Sequence, residues 1–211
     1  MAALTAQQLV WAYANGVFPM APSAQSAKIE WFDPDPRGVV PLEAVHVPRS
    51  LKRTLRRDIF EIRVDTAFAE TMAGCAERSS TWINADIKRA YFELHEMGFA
   101  HSVESWCDGE LAGGLYGVHL KGAFFGESMF ARRTDASKVA FVHLVARLRA
   151  GGFALLDTQM VTDHMSRFGA VEIPRRDYRR RLASALGCDA TFYRTAEPAV
   201  LAALQSLTQT S

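Results

Sequence analysis

Asp157, Thr158 and Gln159 interrupt an apolar run that includes Phe153, Leu155, Leu156 and Met160. Residues two apart on a strand share a face, so the carboxylate of Asp157 and the amide of Gln159 are expected to emerge side by side. Such a pair among apolar neighbours costs desolvation energy unless partnered, which marks either a buried network or a site at the end of the strand. Glu127, within Gly126 to Phe130, brings another carboxylate near a strand terminus, where mixed sheets often bind ligands; a surface glutamate in a turn is the other reading. If these residues form a site, its chemistry is hydrogen bonding and charge. The sequence carries no G-x-S-x-G elbow, Walker A loop, G-x-G-x-x-G, H-E-x-x-H or paired-cysteine zinc spacing. The six histidines are scattered, and a lone histidine is more often structural than a ligand, so no metal site is expected.

The cations are clustered. Lys plus Arg number 24 and Asp plus Glu 23, a net charge of +1, so any nucleic-acid role depends on local patches rather than bulk charge. Arg49, Lys52, Arg53, Arg56 and Arg57 fall at helical spacing as one basic stripe, and Arg175, Arg176, Arg179, Arg180 and Arg181 surround Tyr178. A solvated face is the usual fate of a charge run, but two such runs in a nearly neutral chain point toward an anionic polymer. Trp31 and Trp82 could form an aromatic wall, although aromatics are more often core.

The elements that must position these residues are legible in part. Thr5 and Gln8 form a capping-box pair and Gly16 closes a helix over residues 6–15. Five prolines between Phe18 and Pro41, among Phe18, Met20, Trp31 and Phe32, read as an ordered loop packed against something. A helix follows from Arg49. Asp65 is expected to cap one carrying Phe68 and Met72, and Asn84 another carrying Ile87, Tyr91 and Leu94. Residues 101–106, 111–119 and 123–128, separated by Asp108-Gly109 and Lys121-Gly122, predict an antiparallel meander. Thr134 or Asp135 begins a long helix that Gly151-Gly152 stops, and residues 153–160 read as a central strand. A brief helix capped by Thr162, a strand over 171–173, a helix from Pro174 and a weakly patterned tail after Gly187 complete the chain. The order suggests an α+β fold with a mixed sheet.

Length and composition fit a globular chain: 211 residues, 49% hydrophobic and 22% charged, enough to bury a core. Cys75, Cys107 and Cys188 are an odd set without C-x-x-C spacing, so a reducing compartment is expected. With neither a signal-like N-terminus nor an apolar run of about 18 residues, the expectation is a soluble, cytoplasmic protein.

Several segments together resemble the leucyl/phenylalanyl-tRNA–protein transferase family: GVFPM at Gly16 to Met20, WFDPDPRGV at Trp31 to Val39, TWI at Thr81 to Ile83, HS-E at His101 to Glu104, GESMF at Gly126 to Phe130, D-x-Q at Asp157 to Gln159, DH at Asp163-His164, and EIPRRDY at Glu172 to Tyr178. They keep their order from near residue 5 to near residue 186. The resemblance implies a small N-terminal domain over 1–62, a catalytic domain over 63–190 resembling the Gcn5-related N-acetyltransferase fold with a largely antiparallel mixed sheet flanked by helices, and a tail over 191–211. It implies transfer of leucine or phenylalanine, and less well methionine, from aminoacyl-tRNA to proteins with N-terminal Arg or Lys, which marks them for N-end-rule degradation. The protein is then expected to be a monomer that needs no cofactor, metal or membrane.

The resemblance also implies roles. Gln159 hydrogen-bonds the attacking amine, Asp157 orients Gln159 or stabilises developing charge, and Glu127 holds the amine or the cationic side chain of the acceptor. Leu115, Met129, Phe141, Leu144, Leu148 and Leu156 form the aminoacyl pocket; Trp31 or Phe32, with Trp82, stacks on the terminal adenosine; and Arg49, Lys52, Arg53, Arg56 and Arg57 bind the tRNA backbone. Phe32 stands where relatives often carry a second tryptophan, and Leu144 and Leu148 where bulkier aromatics occur. Two alternatives remain. A CoA-dependent N-acetyltransferase needs a glycine-rich pyrophosphate loop, which residues 130–138 lack. A non-enzymatic tRNA-binding module would explain the basic stripes but not the polar pair in an apolar strand.

Overall fold

The computed structural model describes residues 4–193 and 197–209. Its centre is a seven-stranded sheet in the order β4-β5-β6-β7-β8-β3-β9. These strands are β3 (Arg37–Val40), β4 (Glu61–Val64), β5 (Ala100–Cys107), β6 (Glu110–Leu120), β7 (Ala123–Ala131), β8 (Leu155–Gln159) and β9 (Val171–Ile173). Strands β5, β6 and β7 form the expected antiparallel meander. The β7–β8 pair is parallel, and such a pair needs a long crossover, supplied by helix α5 (Ala136–Ala150).

The parallel pairing runs from Ala123↔Leu155 only as far as Phe125↔Asp157. Two residues beyond that last rung lie Glu127 on β7 and Gln159 on β8, so both stand at the opening where the strands part. On its other side β7 carries a bulge: Tyr116 faces Ser128 and Gly117 faces Gly126, leaving Glu127 as the extra residue. A bulge re-aims a side chain, and here it re-aims the carboxylate.

Helices α1 (Ala6–Ala14), α3 (Phe68–Ala76), α4 (Ala85–Glu96) and α7 (Arg175–Ala185) enclose one core with the sheet. Helices α2 (Arg49–Arg56), α5, the short α6 (Asp163–Ser166) and α8 (Glu197–Gln209) enclose the other. The Thr5 capping box and the Asn84 and Thr162 caps are formed as the sequence predicts. No described helix is long and apolar enough to cross a membrane.

Several expectations need correction. The proline-rich stretch is not a loop throughout, because β1 (Phe18–Met20) and β2 (Glu30–Phe32) form a two-stranded ribbon and β3 enters the main sheet between β8 and β9. Both β3 and β4 belong to that sheet. Asp65 is no helix cap: its oxygens accept from the Ser102 amide at 2.7 Å and meet His101 Nδ1 at 2.9 Å. The amides before α3 are instead capped from β5, where buried Glu104 accepts from Thr66 N at 3.1 Å and Ala67 N at 3.0 Å. That gives the HS-E segment a structural role. The tail beyond Gly187 includes α8, whose Val200 and Leu207 are buried in the core with α5. Residues 1–3, 194–196 and 210–211, which the terminal assignments include, lie outside the described residues.

Candidate active site

Asp157 and Gln159 differ in what their side chains can reach. The Asp157 side chain is fully buried and both its oxygens are occupied. Arg37, also fully buried, donates from Nε to Oδ1 at 3.0 Å and from a terminal nitrogen to Oδ2 at 2.6 Å, the bidentate geometry that makes such pairs strong. Tyr178 donates its hydroxyl to Oδ2 at 2.7 Å, and the Gln159 backbone amide donates to Oδ1 at 2.8 Å. Arg37 is held in turn by the Gly16 carbonyl at 2.6 Å and lies over the rings of Phe18 and Tyr178. Burial alone would favour its neutral form, but the hydrogen bonds and charge of Asp157 raise its pKa.

Gln159 has φ +58, a left-handed backbone at the end of β8. The hydrogen bond from the Gln159 backbone amide to Asp157 Oδ1 holds that turn in place. Its neighbour across the sheet is Gly38, where an added Cβ would come within 2.8 Å of the Met160 carbonyl carbon and 2.9 Å of the Val161 nitrogen. Only glycine lets β3 approach this turn.

The Gln159 side chain reaches toward Glu127, with Nε2 donating to Oε1 at 3.4 Å. The Tyr13 hydroxyl donates to the same oxygen at 2.6 Å, and that of Tyr91 to Oε2 at 3.0 Å; the two hydroxyls also contact each other. Tyr13 comes from α1 and Tyr91 from α4, so the bulged carboxylate is gripped from two helices. Burial pushes the Glu127 carboxyl up to about 7, with the charge of Asp157 adding to the shift and the tyrosine hydrogen bonds and Arg37 opposing it. Burial, reinforced by Glu127, raises both tyrosines well above their ordinary value, so they stay neutral donors.

Glu127 and Gln159 line a cavity of about 790 Å³, within the range of small-molecule sites. Leu115, Met129, Phe141, Leu144 and Leu156 line it as well. Leu148 does not; it is fully buried one turn further along α5. Trp82 stands on the cavity wall, whereas Trp31 and Phe32 are exposed on β2, Phe32 stacked on Phe18. Tyr116, Thr158 and His164 also line the cavity, and the Tyr116 hydroxyl, Thr158 Oγ1 and His164 Nε2 are buried polar atoms with no partner among the described residues. Orphans of this kind are rare in native interiors.

The two basic clusters have different surroundings. On α2, Leu51 is buried beside α5 while Arg49, Arg53, Arg56 and Arg57 are exposed, with no carboxylate in ion-pair range among the described residues. Lys52 is partly buried on the same helix. On α7, Arg175 and Arg179 bind Asp33 at 3.5 and 2.5 Å, and Arg180 binds Asp177 at 3.2 Å. Arg175 and Arg179 thus clamp the proline-rich segment to α7. No group of three or more His, Cys, Asp or Glu among the described residues could hold a metal ion.

Sequence reasoning missed Arg37, Tyr13, Tyr91 and Tyr178 as site residues. Arg37 sits inside the WFDPDPRGV segment, which was a usable signal, but its partner lies 120 residues away. Nothing local distinguishes Tyr13 or Tyr91 from core aromatics.

The model of the leucyl/phenylalanyl-tRNA protein transferase family matches residues 39–183, and that of its N-terminal domain matches residues 2–35. The chain is 57% identical over 221 aligned positions to the leucyl/phenylalanyl-tRNA–protein transferase of Phenylobacterium zucineum, covering all of both chains. It is 60% identical to that of Paramagnetospirillum magneticum, covering 93% of this chain and 96% of the relative. Among solved structures, L-PGS from Bacillus licheniformis aligns with 78% of this chain and 56% of its own at 9% identity, with a TM-score of 0.41. That likeness is too loose to assign a fold family.

Proposed function

This chain belongs to the leucyl/phenylalanyl-tRNA–protein transferase family, and on that premise we propose how its residues carry aminoacyl transfer to a protein. The observation that carries the reading is the meeting of Glu127 and Gln159 at the mouth of the parted strands, in a cavity they line together with Leu115, Phe141, Leu144 and Leu156. The donor is leucyl- or phenylalanyl-tRNA, and methionyl-tRNA less well. The acceptor is a protein beginning with Arg or Lys, which the added residue marks for N-end-rule degradation.

The reaction is aminolysis of an ester that is already activated. The lone pair of a neutral α-amine attacks the aminoacyl carbonyl carbon, and a C–N bond forms. The bond from that carbon to the ribose oxygen then breaks, and the oxygen leaves with a proton. No enzyme nucleophile is required; alignment and proton handling are.

Gln159 offers its amide to the attacking amine, and Glu127 takes the positive charge of the amine or of the acceptor's Arg or Lys side chain. A carboxyl poised near pH 7 is suited to exchanging a proton there. Asp157 is better described as a positioning residue, because its four hydrogen bonds leave it no reach into the cavity and one of them fixes the Gln159 backbone. A neutral amide is a poor base, so the neighbouring ribose hydroxyl relays the proton to the leaving oxygen. Leu115, Met129, Phe141, Leu144 and Leu156 hold the donor side chain. A hydrophobic pocket separates similar side chains by only ~1–3 kcal/mol, which accommodates Leu, Phe and Met together. Trp82 meets the adenine, with exposed Trp31 and Phe32 on the β1–β2 ribbon as further stacking surfaces. The α2 cations neutralise the tRNA backbone.

An acetyl-CoA reading has little support. The start of α5, where a pyrophosphate would need donors, carries Asp135, held ionised against the cost of its burial by Lys138 and Thr54. The test is transfer of labelled leucine from leucyl-tRNA to peptides beginning with Arg or Ala, without added CoA. Transfer to the Arg peptide alone supports the reading, and none to either contradicts it.

A further inference from the structure

The cavity can hold an aminoacyl nucleoside but not a polynucleotide strand, so the phosphate that joins the terminal nucleoside to the rest of the donor must lie at the rim. Three lining side chains that reach solvent are exposed Arg78 and Arg132 and half-buried Trp82. Arg132 is already neutralised, binding both oxygens of Glu77 at 3.0 and 3.1 Å and lying over the Phe130 ring. Arg78 is not. Among the described residues no carboxylate lies in ion-pair range of it, and its one hydrogen bond goes from a terminal nitrogen to the Met129 carbonyl at 2.5 Å. A guanidinium has five N–H donors in a planar fork, so most of the fork remains available to an anion.

The Met129 carbonyl matters because of its place. Met129 lies two residues after Glu127 on β7 and itself lines the cavity. The bond therefore registers an exposed guanidinium against the strand that carries the reacting-centre carboxylate. Trp82 lines the same cavity, which therefore offers both a charge for a phosphate and a ring for a base.

We propose that Arg78 is a binding residue for the phosphodiester next to the donor's terminal nucleoside, distinct from the α2 stripe and specific to donors that carry a phosphate at that point. The proposal rests on the aminoacyl-tRNA reading above. It also makes a distinction the α2 stripe cannot make: a donor reduced to leucyl-adenosine has no phosphate for Arg78 while keeping every interaction inside the cavity.

The experiment measures transfer to an Arg-initiated peptide by wild type, Arg78→Ala and Arg78→Lys, with leucyl-tRNA over a range of salt and with leucyl-adenosine. With leucyl-tRNA, Arg78→Ala raises KM about tenfold with kcat within twofold. The slope of log(kcat/KM) against log salt becomes shallower by about 0.7, the value for one single-strand phosphate, and Arg78→Lys keeps the wild-type slope. With leucyl-adenosine, Arg78→Ala and wild type agree within twofold. Parallel salt plots for wild type and Arg78→Ala overturn the proposal, as does an equal loss with both donors, which would assign Arg78 to fixing the Met129 strand. Failure of wild type to use leucyl-tRNA at all would defeat the transferase reading first, and the two failures are thus told apart.

Discussion

Arg37 and Asp157 form a two-point fork, Nε to Oδ1 at 3.0 Å and a terminal nitrogen to Oδ2 at 2.6 Å, with neither side chain in contact with water. The fork joins the strand that follows the proline-rich segment to the strand that ends in Gln159. Because Asp157 Oδ1 also accepts from the Gln159 amide, the ion pair and the left-handed turn form one unit.

Breaking the fork from the cationic side leaves a buried carboxylate with only Tyr178 and one amide. Arg37→Ala is expected to cost about 3–5 kcal/mol of stability, measured by denaturant unfolding. Arg37→Lys recovers only part of this, because an ammonium cannot reproduce the fork.

Gly38→Ala places a Cβ within 2.9 Å of two backbone atoms just after Gln159, which no side-chain adjustment relieves. The turn must shift, so the expected result is a more than tenfold fall in single-turnover rate with tRNA affinity kept. An unchanged rate would show that the Gln159 backbone conformation does not matter.

With Glu127 raised to about 7, its carboxylate fraction grows as pH rises through neutrality. The transfer rate is expected to rise over the same range, and Glu127→Gln to lose that inflection while keeping the one from the acceptor amine. The linkage sign is also fixed. A carboxyl whose folded pKa exceeds its unfolded value contributes stability that is full below about 4.5 and lost as pH rises through about 7. Glu127→Gln should therefore flatten that part of the stability profile.

The two arginine clusters should separate by experiment. Charge reversal at Arg53 and Arg57 is expected to weaken tRNA binding and reduce its salt slope by roughly 0.7–0.9 for each phosphate that is no longer neutralised. Replacing Arg175 and Arg179 by Ala removes the clamp on Asp33 and is expected to lower the melting temperature without changing the salt slope.

Leu144 lines the cavity and Leu148 does not. Leu144→Ala is expected to shift donor preference toward phenylalanine by about tenfold, within the ~1–3 kcal/mol a pocket can discriminate. Leu148→Ala should cost about 2–5 kcal/mol of stability and leave the preference alone.

Local signals carried much of this architecture. The Thr5, Asn84 and Thr162 caps, the Asp108-Gly109 turn and the helix stop at Gly151-Gly152 are all properties of a few adjacent residues, and all are present. What local pattern could not supply was partnership across the chain. Asp65 has the chemistry of a helix cap, but Ser102 and His101 claim it, and Glu104 from another strand caps α3. Prolines hid β3 because an edge-like sequence was enclosed by β8 and β9 only after the chain closed on itself. At the site, strand alternation paired Asp157 with Gln159 but could not show that Arg37 and Tyr178 occupy the carboxylate, leaving Gln159 to meet Glu127. The tail read as featureless because Val200, Leu204 and Leu207 make a stripe that has meaning only against α5.

The most direct test of the account is single-turnover leucine transfer by Gln159→Ala, Glu127→Ala and Asp157→Asn, with tRNA binding measured in parallel. The account predicts that Gln159→Ala and Glu127→Ala lose transfer while binding tRNA normally. Asp157→Asn, which keeps an oxygen for the Gln159 amide, should lose stability far more than rate once folded. Loss of transfer by folded Asp157→Asn to the level of Gln159→Ala would contradict it, because Asp157 would then act on the substrate rather than through Gln159.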